Sequence, residues 1–409
     1  MEIGRILEQF TDPDTGSLHG AVFIAVDDSG REIYHNAVGR ATFGSNTESV
    51  TADSLCWIAS MTKLVTAVAV MQLVERGLIS LDDDVREVIP ELKDMKVFEN
   101  GSKGMIFSYF LSTPLQDMSD RITVRHLMTH SSGFVYDSSS ALLKEWSKSQ
   151  SRLAHTFCGS LDGYNHPLLF RPGNSWGYGG GIDWAGRMVE IKSGMSLDQF
   201  MKSNIWSKLG AESTTFHPDA HLDALPAPLE MGNRQSVGEG RKSVTRGKIT
   251  LQQPSRDDLG GIGLFSTPSN YMKLLSALLC GGYPLLNETS VDTLFRPQLS
   301  DASRLAMPKG LGTQMRRVLG IQSSDTSSQA DHCLAGTIAM EDIQGRRKAG
   351  TVNWSGLPNL HWWIDRKTGI AAGLFTQLLP PGDSAVTSLL IDLEVALYKY
   401  ITNGEASKL

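Results

Sequence analysis

Ile58-Ala59-Ser60-Met61-Thr62-Lys63 runs directly into an apolar stretch from Leu64 to Val74. Residues three apart on a helix share a face, so the hydroxyl of Ser60 and the amine of Lys63 are expected side by side. Leu64, Val65, Val68, Met71 and Leu73 leave almost no polar face, which predicts a helix buried all round, with Gly77 as its C-terminal cap. Burial disfavours charge, so an ammonium held against this segment is pushed toward the neutral amine. A neutral lysine beside a serine is a general base beside a nucleophile. The tetrapeptide alone is also compatible with an N-capping serine followed by a solvated lysine. A chain of 409 residues should contain roughly one or two such spacings by chance, and Ser60/Lys63 is the single one present.

The surroundings give the pair a place in a fold. Ile3 to Phe10 predicts a short helix. Ala21 to Val26 predicts a strand that turns at Asp27-Asp28-Ser29-Gly30 and returns over Glu32 to Val38. From about Leu81 to Ser300 the pattern is mainly helical, with the clearest helices over Ile122–Thr129, Gly181–Lys192, Leu197–Leu209 and Asn270–Cys280. Lys93 to Asp120, with its apolar Met105-Ile106-Phe107, and the polar Gln235 to Gln253 are expected to be surface loops or lids. Strands return over Leu334–Met340, Arg346–Val352, Leu360–Asp365 and Ile370–Thr376, and Ser384 to Tyr400 closes the chain as a helix. The fold class is therefore α/β (α+β): an antiparallel sheet built from both termini with flanking helices, plus an inserted, mainly helical lobe. The expected division is 1–80 plus 301–409 for the sheet lobe and 81–300 for the helical lobe, with the active site in the groove between.

Two further motifs follow Ser60. Pro172 to Gly181 is a turn-rich loop that presents Tyr178 just before a helix, and a phenol near an ammonium can pass protons. Val352-Asn353-Trp354-Ser355-Gly356-Leu357-Pro358-Asn359 bends the chain between two strands, where backbone N–H groups can form half of an oxyanion hole. Each segment in isolation also suits an ordinary structural role. In this order, over nearly the whole chain, the three resemble the serine β-lactamase-like family of class C β-lactamases, D-Ala-D-Ala carboxypeptidases, family VIII esterases and fungal polyketide transesterases. Arg125 to Gly133, Gly260 to Pro268 and Thr376 to Pro381 resemble other passages of that family, and the likeness is greatest to its fungal polyketide acyltransferase branch, which includes enzymes that acylate statin precursors.

The resemblance implies Ser60 as nucleophile, Lys63 as its base and Tyr178 as the second proton-transfer group, with the backbone amides of Ser60 and Leu357 holding the oxyanion. It implies Trp354, Ser355 and Gly356 as substrate-binding residues, and Gly179 and Gly180 as an unobstructed pocket wall. Gly180 stands where β-lactamases and peptidases carry an asparagine, and Trp354 where they carry a carboxylate-gripping lysine. Both departures point away from β-lactam or peptidoglycan chemistry and toward bulkier esters. Trp362 and Trp363 lie on opposite faces of a strand, and Trp363 is expected to line the acyl pocket.

The implied activity is transfer of an acyl group from an ester or thioester donor to the alcohol of a small, secondary-metabolite-like acceptor. Ester or lactone hydrolysis is the alternative; a non-acylating acid–base catalyst or a binding protein on the same fold is a further one. An acyl-carrier domain is a possible donor partner. A net charge of −6 shows no basic footprint for nucleic acid. No run is long enough to span a bilayer, and Met1 to Arg5 lacks a signal pattern, so a cytoplasmic protein is expected. Cys56, Cys158, Cys280 and Cys333 have no metal-type spacing and read as reduced thiols. His126 and His130 share a helical face but have no carboxylate between them, so they read as structural. No metal and no cofactor are expected.

Overall fold

The computed structural model describes residues 2–44, 48–99, 114–221, 223–237, 241–321 and 329–404. Its centre is a seven-stranded antiparallel sheet: β1 (Gly20–Asp27), β2 (Glu32–Gly39), β3 (Ala330–His332), β4 (Thr337–Ala339), β5 (Val352–Gly356), β6 (Leu360–Asp365) and β7 (Ile370–Phe375), in the order β2-β1-β7-β6-β5-β4-β3. The two ends of the sequence meet where β1 pairs with β7, Val22 opposite Phe375 and Asp27 opposite Ile370.

The near-continuous apolar run of β1 exists because both faces of the sheet are covered. Ala21, Phe23 and Ala25 point to a layer formed by the N-terminal helix Glu2–Thr11 and the closing helix Ser384–Thr402, where they meet Ile3, Leu7, Leu389 and Leu393. Val22, Ile24 and Val26 point the other way, into the core shared with the helical part of the chain. The central helix, Thr62–Glu75, lies in that second core, and every residue from Thr62 to Leu73 is buried. Two of its polar side chains find carbonyl partners: Gln72 donates to the carbonyls of Asn204 at 2.9 Å and Leu285 at 3.1 Å, and Thr66 donates to that of Gly260 at 2.6 Å.

Several expected boundaries move. The strand expected over Arg346–Val352 begins only at Val352, and the preceding residues form a turn. Arg346 and Arg347 leave the strand pattern because both reach the buried carboxylate of Glu394 on the closing helix, at 2.7 and 2.9 Å. The Arg347 guanidinium also lies 4.9 Å from the ring centre of Trp363. Gln235 to Gln253 is not all loop: Gly232–Val237 and Arg241–Arg246 pair as a hairpin, and Leu378–Leu379 joins it in parallel. The ribbon is polar because it is an added edge, fixed by a buried ion pair between Arg234 and Asp383 at 2.7 Å. The Lys93–Asp120 excursion is pinned at its base by Lys96–Phe98 pairing with Leu115–Asp117, while Met105-Ile106-Phe107 lies outside the described residues. The Leu197–Leu209 helix contains a π-turn over Lys202–Trp206. Among the described residues, no helix is long and apolar enough to cross a membrane.

Removing the charge of Glu394 leaves two buried guanidinium groups without their counter-ion. Glu394→Gln is expected to lower the unfolding free energy by about 3 kcal/mol or more, read as a shift in denaturant midpoint.

Candidate active site

Ser60 sits in a tight 3-10 turn, Ala59–Met61, that feeds the central helix. Ala59 adopts φ 46°, a left-handed conformation that a residue with a Cβ rarely holds unless its surroundings enforce it. The helix cap is Met61 and no side chain caps it, so the Ser60 hydroxyl is not spent on the helix terminus. Lys63 is 3% exposed, so it is not the solvated lysine of a capped first turn.

The Lys63 amine has three neighbours. It donates to the carbonyl of Gly261 at 2.8 Å and to Tyr136 Oη at 3.1 Å, and it lies 3.4 Å from Ser60 Oγ. Tyr178 Oη donates to Ser60 Oγ at 2.7 Å. The two phenol rings meet edge to face, 5.2 Å apart, and Lys63 Nζ lies 4.8 Å from the Tyr178 ring centre. Ser60, Lys63 and Tyr178, far apart in sequence, are thus within hydrogen-bond reach around one oxygen, the geometry that nucleophile activation requires.

Two members of this cluster carried no sequence signal that set them apart. Tyr136 follows the Ser131-Ser132-Gly133 turn in an apolar run that reads as core, yet its hydroxyl touches Lys63. Burial, then the nearby Asp183 carboxyl, pushes its phenol well above the usual range, so it stays protonated. Asp183 belongs to the first turn of the helix Gly181–Ser193 and is fully buried. Its Oδ1 accepts from the N–H of Gly261 at 2.8 Å, while Oδ2 has no hydrogen-bond partner in the protein. Burial raises its pKa to about 6 against the opposing pull of the Lys63 charge.

His130 packs behind the site, against the rings around Ser60. Its ring lies edge-on to Tyr178 at 4.7 Å and to His332 at 5.3 Å, and stacks on Trp354 at 6.1 Å. Burial lowers His130 well below the usual imidazole range and His332 to about 4, so both rings are neutral near pH 7. His126 points elsewhere, its Nδ1 accepting from the Thr123 N–H at 3.3 Å. Cys56 is a buried thiol whose pKa burial raises to about 12.

Strand β5 ends against the Ser60 turn. A Cβ on Gly356 would lie 2.5 Å from the carbonyl oxygen of Ile58, so only glycine permits this approach. Ser60, Trp354, Ser355, Gly356 and Leu357 all line one cavity of about 760 Å³, with Tyr178, Tyr136 and Trp176 among its other walls. Its size suits a small-molecule ligand. Three sequence expectations do not hold. Gly179 and Gly180 do not line the cavity: a Cβ at Gly179 would strike Phe134 O at 2.2 Å, and one at Gly180 the Tyr164 ring at 2.6 Å, so these glycines allow close packing rather than an open wall. Trp363 is fully buried on the opposite face of the sheet, against Phe23 and the terminal helices, because its neighbour Trp362 takes the other face.

A family model described as Beta-lactamase matches residues 5–396. The lovastatin esterase of Penicillium rubens is 32% identical over 93% of this chain and 93% of its own length. The monacolin J acid methylbutanoyltransferase of Aspergillus terreus is 32% identical over 94% of this chain and 92% of its own. A mutant of simvastatin synthase from Aspergillus terreus superposes with a TM-score of 0.82 at 30% identity, covering 98% of this chain and 95% of that one. A hydrolase with promiscuous acyltransferase activity, EstCE1, shares the fold at a TM-score of 0.72 and 19% identity, covering 97% of both chains.

The raised Asp183 pKa has a sign that can be checked. A carboxyl whose folded pKa lies above its unfolded value of 3.8 adds stability that is present at low pH and lost as pH rises through about 6. Asp183→Asn removes this titration, so the variant should gain on the wild type by up to about 3 kcal/mol between pH 4 and pH 7, measured as paired denaturant midpoints. Gly356→Ala must part β5 from the Ser60 turn, and is expected to lower kcat/KM by at least about tenfold, as a misplaced donor does, in an ester-cleavage assay.

Proposed function

We propose a reaction scheme for this chain, which belongs to the β-lactamase family: it is an acyl-serine enzyme that moves an acyl group from an ester or thioester to the alcohol of a small, secondary-metabolite-like acceptor. The observation that carries the reading is the Ser60 hydroxyl, held at 2.7 Å by Tyr178 and at 3.4 Å by Lys63 on the wall of the cavity.

In this scheme Ser60 Oγ attacks the donor carbonyl as its proton passes to Lys63. The tetrahedral oxyanion is held by the N–H groups of Ser60 and Leu357, each worth about 3 kcal/mol by analogy with single-donor deletions. The C–O or C–S bond of the donor breaks, and the leaving group takes the proton of Tyr178, which is left as a phenolate beside the Lys63 ammonium. Tyr178 then draws the proton from the acceptor alcohol, the new ester forms as the bond between the acyl carbon and Ser60 Oγ breaks, and Ser60 recovers its hydrogen from Lys63. Tyr136 and the Gly261 carbonyl orient the lysine throughout. Trp354 places an aromatic ring 5.3 Å from Tyr178, where a lysine would place a charge, and this favours uncharged ester substrates.

The relative named as a methylbutanoyltransferase acts, by its name, on monacolin J acid. Carried here is the class alone: a short acyl group and a compact hydroxylated acceptor. The donor acyl group arrives on a small thioester or on an acyl-carrier domain, and the protein works in the cytoplasm. Hydrolysis is the second reading, favoured by the equally similar esterase.

Ser60→Ala is expected to abolish turnover and labelling by a serine-reactive phosphonate, read by intact mass, while the circular dichroism spectrum stays that of the wild type. Turnover that survives in a folded variant eliminates Ser60 as nucleophile. Competition between an alcohol acceptor and water, followed as ester against free acid, is expected to favour ester.

A further inference from the structure

The cavity at Ser60 does not end there. Successive strand residues point to opposite faces, so Ser355 faces away from Trp354. Ser355 pairs across the strands with His361 on β6, and both line the same cavity as Ser60. The cavity therefore wraps around the end of the β5–β6 pair. It continues between the helix Thr313–Val318 and the first turn of the closing helix, where Gln314, Val318 and Thr387 line it.

The chemistry of the wall changes along this path. Near Ser60 it is Trp176, Tyr178, Trp354 and Leu357; at the far end it carries the polar side chains of His361 and Gln314. His361 is 8% exposed, and its buried Nδ1 has no hydrogen-bond partner in the protein. The Oε1 atom of Gln314 is also buried and unpartnered. Burial, then the charge of Arg347, hold His361 down to about 3, so its ring is neutral near pH 7 with one N–H donor and one acceptor nitrogen. The charged groups of this region are already engaged: Arg347 with Glu394, and Asp383 with Arg234. Buried polar groups normally have partners, and leaving one unmade is costly.

We infer that the far end of the cavity, formed by His361 and Gln314, is a binding subsite for a hydroxyl group that the substrate carries several bonds away from its reacting carbon. A hydroxyl can donate to the Gln314 carbonyl oxygen and accept from an imidazole N–H, so a small neutral group of this kind matches both unpaired atoms. A carboxylate meets the Gln314 oxygen as an unfavourable second acceptor, and an alkyl end leaves both groups unpaired. The subsite sorts substrates by a remote polar end reached through an apolar channel. What reacts at the near end rests on the acyl-serine reading above.

The test uses p-nitrophenyl esters of unbranched acids in a ladder of chain lengths, each with and without a terminal hydroxyl. At one chain length the hydroxyl is expected to lower KM roughly five- to tenfold, the worth of one or two neutral hydrogen bonds, with little change in kcat. His361→Phe and Gln314→Leu should each remove that preference. Absence of a hydroxyl advantage at every length, or its survival in both folded variants, overturns the subsite. Calorimetric titration of Ser60→Ala with alkanediols and the matching alkanols reads the subsite even where no ester is turned over. Tighter binding of the diol supports it, and equal affinities overturn it. Failure of the wild type to cleave the plain esters or to take up a phosphonate counts against the acyl-serine reading alone.

Discussion

The position of the Lys63 amine depends on one residue, Gly261, and the two peptide groups that flank it. The carbonyl of Gly261 accepts from Nζ, and the N–H of the same residue donates to Asp183. The neighbouring carbonyls are also taken: that of Gly260 by Thr66 Oγ1 and that of Ile262 by Trp57 Nε1. Three consecutive backbone oxygens thus receive the polar side chains of the central helix and the residues just before it, in a region where unpaired groups would be expensive. A Cβ at Gly261 would lie 2.3 Å from Asp183 Oδ2, so the turn can pass between helix and carboxylate only as glycine. Ser60, at the start of the same helix, inherits its position from this lock.

The aromatic shell has a second consequence. His130, Trp176 and Trp354 surround Tyr178 with neutral rings, and His332 packs behind them. The two imidazoles carry no charge at neutral pH. Lys63 and Asp183 are tied to the same residue, Gly261, behind this largely apolar shell. That arrangement suits a site whose task is to pass one proton back and forth during acylation and deacylation.

Part of this was legible in the sequence because short-range periodicity carries it. The Ser60–Lys63 spacing and the apolar helix behind it are properties of a few adjacent residues. So is the β1 run, whose continuity signals a sheet covered on both faces. Tyr136 was not legible: its partner is 73 positions away, and in its own apolar segment it looks like core. Asp183 lies in a first helical turn, where acidic residues are ordinary, and only the tertiary packing shows that it is buried. Period-two reasoning put Trp362 and Trp363 on opposite faces but does not say which face holds the cavity, since both are apolar. Gly179 and Gly180 misled for a related reason. A missing side chain marks close approach, and only coordinates show whether a ligand or Tyr164 makes that approach. Arg346 and Arg347 broke the strand pattern for the sake of Glu394, some 47 residues on, which no local reading detects.

The choice between water and an alcohol as acyl acceptor cannot lie in the proton-handling groups. Lys63 and Tyr178 face one oxygen of Ser60, and the step they assist is the same whichever O–H arrives. An esterase and an acyltransferase are equally similar to this chain, at 32% identity over nearly its full length. The difference must then come from side chains that decide what occupies the cavity while Ser60 is acylated. Cavity-lining side chains outside the catalytic cluster lie on the helix Thr313–Val318, at His361 on β6 and in the loop at Pro380-Pro381. A bound acceptor that fills this volume excludes water and raises its own effective concentration at the acyl group. Selectivity for transfer is therefore a property of the cavity walls, laid over a reaction centre indifferent to the outcome.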